Sequence, residues 1–375
     1  MKKILLDCVD ILDFKRIPLS ANERARMKKI YPYYGAQGII DYVEDFIFDG
    51  EYILIAEDGE NLRSLSKNIA TWATGKFWVN NHAHILGYNG NSNLRFIYYF
   101  LSSMDLRRYV TGSAQPKLNQ YNLANLEIDL PPLEVQRQIG NFLYSLDQKI
   151  SLNKKINATL EDMAKTLYDY WFVQFDFPDE NGKPYKSSGG KMIFSPELQR
   201  EIPEGWEVKR IKNLLNVVTG KEDANFSVPN GKYKFFTCSN EILNCEIPAF
   251  EGSAVLLAGN GDFNVKHYTG KFNAYQRTYV LIPSDKKYYA VLYIAVKKML
   301  KTLNKNSNGS IVKFITKSDV ENISVLDPNN DELLKKLNNV YELIEKNNLE
   351  NDLLENLRDF LLPLLMNGQV TFAEE

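Results

Sequence analysis

Hydrophobic residues recur in gaps of four and three between positions 139 and 171. Ile139, Leu143, Leu146 and Ile150 come first, Asn153 and Asn157 hold the middle of the series, and Leu160, Ala164, Leu167 and Trp171 complete it. Such spacing is the a/d seam of a heptad on one face of a long helix, and Pro131-Pro132 is suitable punctuation before its start. The pattern returns further along the chain as Leu333, Leu337, Val340 and Ile344, then Asn347 and Asn351, then Leu354, Arg358, Leu361 and Leu365. Long helices are therefore predicted over residues 131–175 and 329–368. Each carries two asparagines at equivalent central seam positions, where polar residues cost stability but specify register and orientation. If the helices lie antiparallel, Ile139 faces Leu365, Ile150 faces Leu354, Asn153 faces Asn351 and Asn157 faces Asn347, so that the amides satisfy one another.

The rest of the chain is also written twice. Gly50-Glu51-Tyr52-Ile53-Leu54-Ile55-Ala56-Glu57-Asp58-Gly59 is echoed by Gly252-Ser253-Ala254-Val255-Leu256-Leu257-Ala258-Gly259-Asn260-Gly261. Both read as a buried strand running into a glycine turn. Thr74-Gly75-Lys76-Phe77 recurs as Thr269-Gly270-Lys271-Phe272, and Gly112-Ser113 and Asn125-Leu126 match Gly309-Ser310 and Asn322-Ile323. Three matches in one order, at nearly constant offset, mean an internal duplication. The predicted organisation is a globular module over 1–130, a helix over 131–175, an exposed linker rich in turn formers over 176–201, a second module over 202–328, and a helix over 329–368. Each module mixes strands and helices. The fold class is α+β: two tandem globular domains, related by a pseudo-two-fold axis and separated by two long antiparallel coiled-coil helices.

Composition narrows the class without naming a function. The 44% hydrophobic and 12% aromatic content is ample for packed cores. No apolar run suggests a membrane span, and Asp7 and Asp10 interrupt the N-terminal apolar stretch before it could serve as a signal peptide. Cys8, Cys238 and Cys245 form neither an even framework nor a CxxC, so a reducing cytoplasm is expected. A net charge of -2 does not advertise nucleic-acid binding.

Signatures of catalysis are missing. Thr219-Gly220-Lys221-Glu222 lacks the spacing and hydroxyl of a phosphate-binding loop, and neither an amino-methyltransferase motif nor a glycine-rich cofactor loop after a strand is present. Pro178-Asp179 with Glu207-Val208-Lys209 matches a nuclease pattern formally, but the aspartate sits in the turn-rich linker rather than on a strand that could bring it to a metal. His82 and His84 form an HxH that could bind zinc from one strand face; the repeat has Arg277 and Tyr279 there, so no metal is expected. If Ala83, Ile85, Thr278 and Val280 face inward, then His82, His84, Arg277 and Tyr279 face outward. Base-reading candidates are Asn80, Asn81 and His82 with their counterparts Tyr275, Gln276 and Arg277, joined by His84, Tyr279, Asn260 and Asn264. Lys67, Lys76, Lys266 and Lys271 are candidate phosphate contacts, with Lys117 and Lys313 as further DNA-binding candidates. Ser113 and Gln115, and Asn308 and Ser310, lie in loops whose glycines permit close backbone approach.

Several segments carry a family resemblance. Leu130-Pro131-Pro132-Leu133-Glu134-Val135-Gln136-Arg137-Gln138-Ile139 resembles the start of the first conserved helix of type I restriction-modification specificity subunits. Asp169-Tyr170-Trp171-Phe172-Val173-Gln174-Phe175-Asp176-Phe177-Pro178 resembles that helix's end, and Ile202-Pro203-Glu204-Gly205-Trp206 the start of the second target recognition domain. Gly112-Ser113-Ala114-Gln115-Pro116-Lys117-Leu118 is similar to a loop common in these domains. The N-terminus lacks the Pro-Glu-Gly-Trp opening, and the second loop lacks Gln-Pro. The resemblance implies a subunit without its own active site that reads an asymmetric, bipartite, gapped DNA site. It implies docking of two DNA methyltransferase subunits and of restriction translocase-nuclease subunits, whose cofactors would be S-adenosylmethionine, ATP and Mg2+. The helices would act as a ruler, about 60 Å long at 1.5 Å per residue. Alternatives from the same residues are the specificity subunit of a type II or methyltransferase-only system, or a non-DNA protein scaffold.

Overall fold

The computed structural model describes residues 2–64, 69–112, 115–261, 263–306 and 314–372. The chain divides into two compact units, Met1–Ser151 with Asn351–Glu375, and Leu152–Glu350.

Each unit is built on a six-stranded sheet. In the first the strands are β1 (Val9–Ile11), β2 (Tyr31–Gly35), β3 (Gly38–Val43), β4 (Phe48–Ala56), β5 (Ala70–Val79) and β6 (Ala83–Tyr88), in the order β1-β6-β4-β5-β2-β3. In the second they are β7 (Val218–Thr219), β8 (Tyr233–Phe236), β9 (Ile242–Cys245), β10 (Phe250–Ala258), β11 (Val265–Ala274) and β12 (Thr278–Leu281), in the order β7-β12-β10-β11-β8-β9. The orders are identical strand for strand. The duplication seen in the sequence is a duplication of topology.

The sheets are strongly curved, as their registers require. Phe77 pairs with Phe48 and Ala83 with Ala56. A straight β4 would separate Phe48 from Ala56 by about 27 Å, whereas the chain from Phe77 to Ala83 reaches about 21 Å at most. The second unit repeats this, with Phe272 beside Phe250 and Thr278 beside Ala258. Facing glycines sit at the bend: Gly50 opposite Gly75 and Gly252 opposite Gly270, all at positive φ, from 74° at Gly75 to 145° at Gly270. The repeated glycine blocks are thus cross-strand neighbours that let the sheet coil.

Curling gives each sheet two buried faces. Inside the first curl lie Phe48, Leu54, Phe77, Val79, Ala83 and Ile85; outside it Ile53, Ile55 and Leu86 pack on α1 (Leu94–Ser103) and on the long helices α2 (Leu133–Tyr168) and α4 (Asp331–Met366). In the second unit Phe236, Leu256, Phe272 and Val280 fill the curl, while Val255, Leu257, Tyr279 and Leu281 pack outside it against α3 (Tyr289–Asn306).

α2 and α4 run antiparallel. In the second unit Asn347 Nδ2 donates to Asn157 Oδ1 at 2.8 Å, Asn157 Nδ2 donates to Asn348 Oδ1 at 2.8 Å, and Asn153 Nδ2 donates to Glu350 Oε2 at 2.7 Å. In the first unit Arg358 Nη1 meets Asp147 Oδ1 at 2.6 Å. Of the seam residues, Ile139, Leu143, Leu146, Ile150, Asn153, Asn157, Trp171, Leu333, Leu337, Ile344, Asn351 and Leu365 are buried, and Leu160, Leu167, Val340, Asn347, Leu354 and Leu361 half-buried. Past Tyr168 the first helix widens into a π-type turn, Asp169–Val173.

The stretch read as an exposed linker is folded. Met192–Ser195 pairs with Arg200–Pro203 as a hairpin, and Phe177 stacks on Tyr185 and lies 5.0 Å from the Trp206 ring. Its turn-forming composition is real, but the aromatics among the turn residues anchor it to the second core.

Candidate nucleic-acid interface

In the first unit the polar candidates gather at one end of the curl. Residues 80–82 link β5 to β6, Gln37 caps the β2–β3 turn, and Asp58 and Gly59 follow β4. A cavity of about 380 Å³ opens there, lined by Gln37, Ile40, Asp58, Gly59, Asn80 and His82. Amide, imidazole and carboxylate together offer donors and acceptors suited to base edges. Asn80 is buried, and its Oδ1 accepts from the His82 amide at 2.8 Å, which shapes the turn. Asn81 and His82 are exposed, and His82 Nδ1 lies 2.7 Å from Asp58 Oδ2. Gln37 was missed by sequence reading; its only signal was a polar residue beside Gly38 in a tight turn. Gln115 and Lys117 are exposed on the neighbouring loop, where Lys117 Nζ pairs with Glu57 at 3.0 Å. Lys76 is exposed on β5, its ammonium 4.5 Å from the Phe46 ring centre.

His84 does not face outward. It is 1% exposed, with Nδ1 2.5 Å from Asp13 and Nε2 2.7 Å from the Leu118 carbonyl. Tyr279 is buried likewise, its hydroxyl donating to the Ile315 carbonyl at 2.8 Å. Strand alternation was sound, but alternation predicts exposure only when one face of a sheet is wet. His82 is exposed beside Asp58, whereas His84 is buried beside Asp13. Asp13, Glu57 and His84 do bring ligand-type atoms within 4.8 Å of one another, yet cations are already there. Arg16 Nη1 contacts Glu57 Oε2 at 2.5 Å and Arg16 Nη2 contacts Asp13 at 3.4 Å. Burial pushes the Glu57 carboxyl up, but its bonds from Arg16 and Lys117 outweigh that and leave it below its ordinary value.

In the second unit Tyr275 is half-buried and Gln276 and Arg277 exposed, between β11 and β12. Gln276 Nε2 donates to Asp223 at 2.8 Å. Ser239 and Asn240, unforeseen from sequence, are exposed on the β8–β9 turn, which corresponds in topology to the Gln37 turn. Lys266 is corrected from a phosphate contact to a structural clamp: its ammonium donates to Ser239 O at 2.6 Å, Asn264 Oδ1 at 2.5 Å and Thr237 O at 3.4 Å. Burial lowers its pKa. Asn264 is half-buried and donates to the Cys238 carbonyl at 2.7 Å, so both side chains hold the turn rather than project from it. Asn260 is half-buried and bridges to Phe314, and Lys271 is exposed 3.9 Å from Glu251. Lys67, Ser113, Asn308, Ser310 and Lys313 lie outside the described residues. No helix among the described residues is long and apolar enough to cross a membrane.

Two copies of one curved sheet, each offering a different polar set at the same topological place, define a tandem-module recognition protein. The chain belongs to the type I restriction modification DNA specificity domain family, whose model matches residues 6–162 and 203–356. It is 39% identical over 178 residues to the Type I restriction enzyme EcoDI specificity subunit of Escherichia coli, covering 46% of this chain and 40% of that protein. It is 27% identical over 310 residues to the Type I restriction enzyme MjaIX specificity subunit of Methanocaldococcus jannaschii, covering 74% and 69%. The match to the E. coli protein thus spans well under half of that relative's length. The fold is similar to the crystal structure of the type I restriction-modification S subunit from M. genitalium, with a TM-score of 0.64 and 17% identity over all of this chain and 96% of that one.

Proposed function

We propose that this chain is the DNA sequence-specificity subunit of a type I restriction-modification complex, carries no active site of its own, and reads one half of a gapped, asymmetric site with each unit. The observation that carries the reading is the paired turn before β6 and β12. Its backbone position repeats, while its side chains change from Asn80, Asn81 and His82 to Tyr275, Gln276 and Arg277. A constant frame with a variable polar edge suits two different half-sites. Two methyltransferase subunits dock on the helices and restriction translocase-nuclease subunits join them; S-adenosylmethionine, ATP and Mg2+ belong to those partners. Exposed apolar side chains support docking: Leu353, Leu357 and Phe360 on α4 in the first unit, and Leu152, Ile156 and Met163 on α2 in the second. Single-molecule methylome sequencing of the host with and without this gene tests the reading. Loss of one bipartite, gapped motif is the expected result. An unchanged methylome in a strain that expresses the partner methyltransferase overturns it.

A further inference from the structure

The two residues expected to face outward and found buried, His84 and Tyr279, occupy equivalent places with equivalent jobs. His84 stands where Tyr279 stands in the repeat, and Leu118 where Ile315 stands. His84 Nε2 lies 2.7 Å from Leu118 O, and Tyr279 Oη lies 2.8 Å from Ile315 O. The backbone around them is copied as well. The Leu118 amide donates to Glu57 O and the Ile315 amide to Gly259 O, both at 2.8 Å; the Glu57 amide donates to His82 O and the Gly259 amide to Arg277 O, both at 2.9 Å.

The side chains have exchanged volume in a compensating way. A Cβ at Gly259 would lie 2.7 Å from the backbone Arg277 O and 3.1 Å from Tyr279 Cε2, so the backbone, with the ring crowding beside it, leaves this position to glycine. The smaller imidazole leaves room for Glu57. In the first unit the partners of the ring are Asp13 Oδ2 at Nδ1 and the Leu118 carbonyl at Nε2. Two chemically unrelated side chains have been kept on one carbonyl while the neighbouring exposed residues diverged.

From this correspondence we infer that His84 and Tyr279 are matched positioning residues: each latches the backbone beside the polar edge, at Lys117-Leu118 and at Phe314-Ile315, and so fixes the frame in which that edge meets DNA. Neither touches a base; each acts through the carbonyl it holds. The claim about DNA rests on the proposed function, whereas the latch itself is a property of the chain alone.

Two measurements separate them. Tyr279→Phe removes one hydroxyl without opening a cavity. Amide hydrogen exchange of the full chain should then accelerate at Ile315 by about five- to ten-fold, the factor set by one net hydrogen bond, with Leu118 unchanged. His84→Ala should do the converse, and His84→Gln, whose amide can still donate to Leu118 O, should restore protection. Unchanged exchange at Ile315 in folded Tyr279→Phe overturns the latch, whatever His84→Ala does to folding. The second measurement is the methylome of a host carrying Tyr279→Phe. The half-site read by the second unit should become degenerate at one or more positions while the other stays fixed. A motif unchanged in both halves, with exchange accelerated, overturns the role in specificity. If the wild-type chain directs no motif, the proposed function has failed and the exchange result still decides the latch.

Discussion

Asn157 shows how much a single amide does in the helix seam. Its Oδ1 accepts from Asn347 and its Nδ2 donates to Asn348, at 2.8 Å each. Asn157→Ala should cost about 1–2 kcal/mol, because its partners are partly exposed and can turn to water. Replacing Asn157 and Asn347 together by leucine should leave the urea midpoint equal or higher, while register specificity falls. A double variant less stable than the alanine single would refute this account. A second residue-scale test is electrostatic. Buried Asp327 accepts from Lys209 and, at 2.6 Å, from the Tyr288 hydroxyl. Burial raises its pKa, but these bonds and one from the Asn329 amide outweigh it, and the carboxyl sits below its ordinary 3.8. A depressed carboxylate contributes stability that is present above its ordinary pKa and lost as pH falls through the folded value. Lys209→Met should therefore cost about 2–3 kcal/mol at neutral pH, under the figure for fully buried pairs because the Lys209 side chain remains 29% exposed. The gap from wild type should close as pH drops from about 5 toward 2. A gap independent of pH would mean that packing, not the ion pair, was lost. The pairing of Asn157 with Asn347 could be read from sequence because heptad position fixes neighbours. The Lys209–Asp327 pair could not, since it joins strands 118 positions apart with no local signature.

At the scale of elements, the bent strands decide what sequence could and could not say. The blocks around Gly50 and Gly75 stand out by repetition, yet nothing in a linear pattern shows that they face each other across β4 and β5. That blindness also produced the one clear error of orientation. Alternation in β6 and β12 separates two faces correctly, but curling buries one and helices cover the other, so His84 and Tyr279 were placed in solvent. The glycines should be intolerant for backbone reasons. A Cβ at Gly75 meets nothing within 4 Å, so Gly75→Ala isolates the cost of its 74° φ, about 1–2 kcal/mol. Gly270→Ala should cost more, since its Cβ would also approach the Tyr268 hydroxyl at 3.1 Å. Thermal unfolding of the two variants checks both the loss and the order. Equal midpoints for wild type and Gly75→Ala would show that the bend does not need the glycine.

For the whole molecule the central tension is between the proposed DNA-reading role and a chain with 45 basic against 47 acidic residues. Affinity for duplex DNA comes largely from phosphate neutralisation and counterion release. Several lysines of the right charge are already committed. Lys266 holds a turn, Lys117 pairs with Glu57, and Lys209 with Asp327. Among the described residues, the exposed side chains at the polar edges include Asn81, His82, Asn240, Gln276 and Arg277, a set better suited to discriminate bases than to hold a polyanion. The chain alone should therefore bind duplex DNA at about micromolar affinity or weaker at physiological salt, in the range of non-specific binding. Added methyltransferase should tighten binding at least about ten-fold and steepen the salt dependence, because the extra phosphate contacts belong to the partner. Titrating labelled duplex with the chain, then with chain plus methyltransferase, at two salt concentrations reads both effects. Nanomolar, sequence-specific binding by the isolated chain, with a salt slope unchanged by the partner, would show that this chain neutralises the phosphates itself. A recognition protein so divided would separate the problem of where to bind from that of how tightly, and one half-site's residues would then change without disturbing the affinity of the assembly.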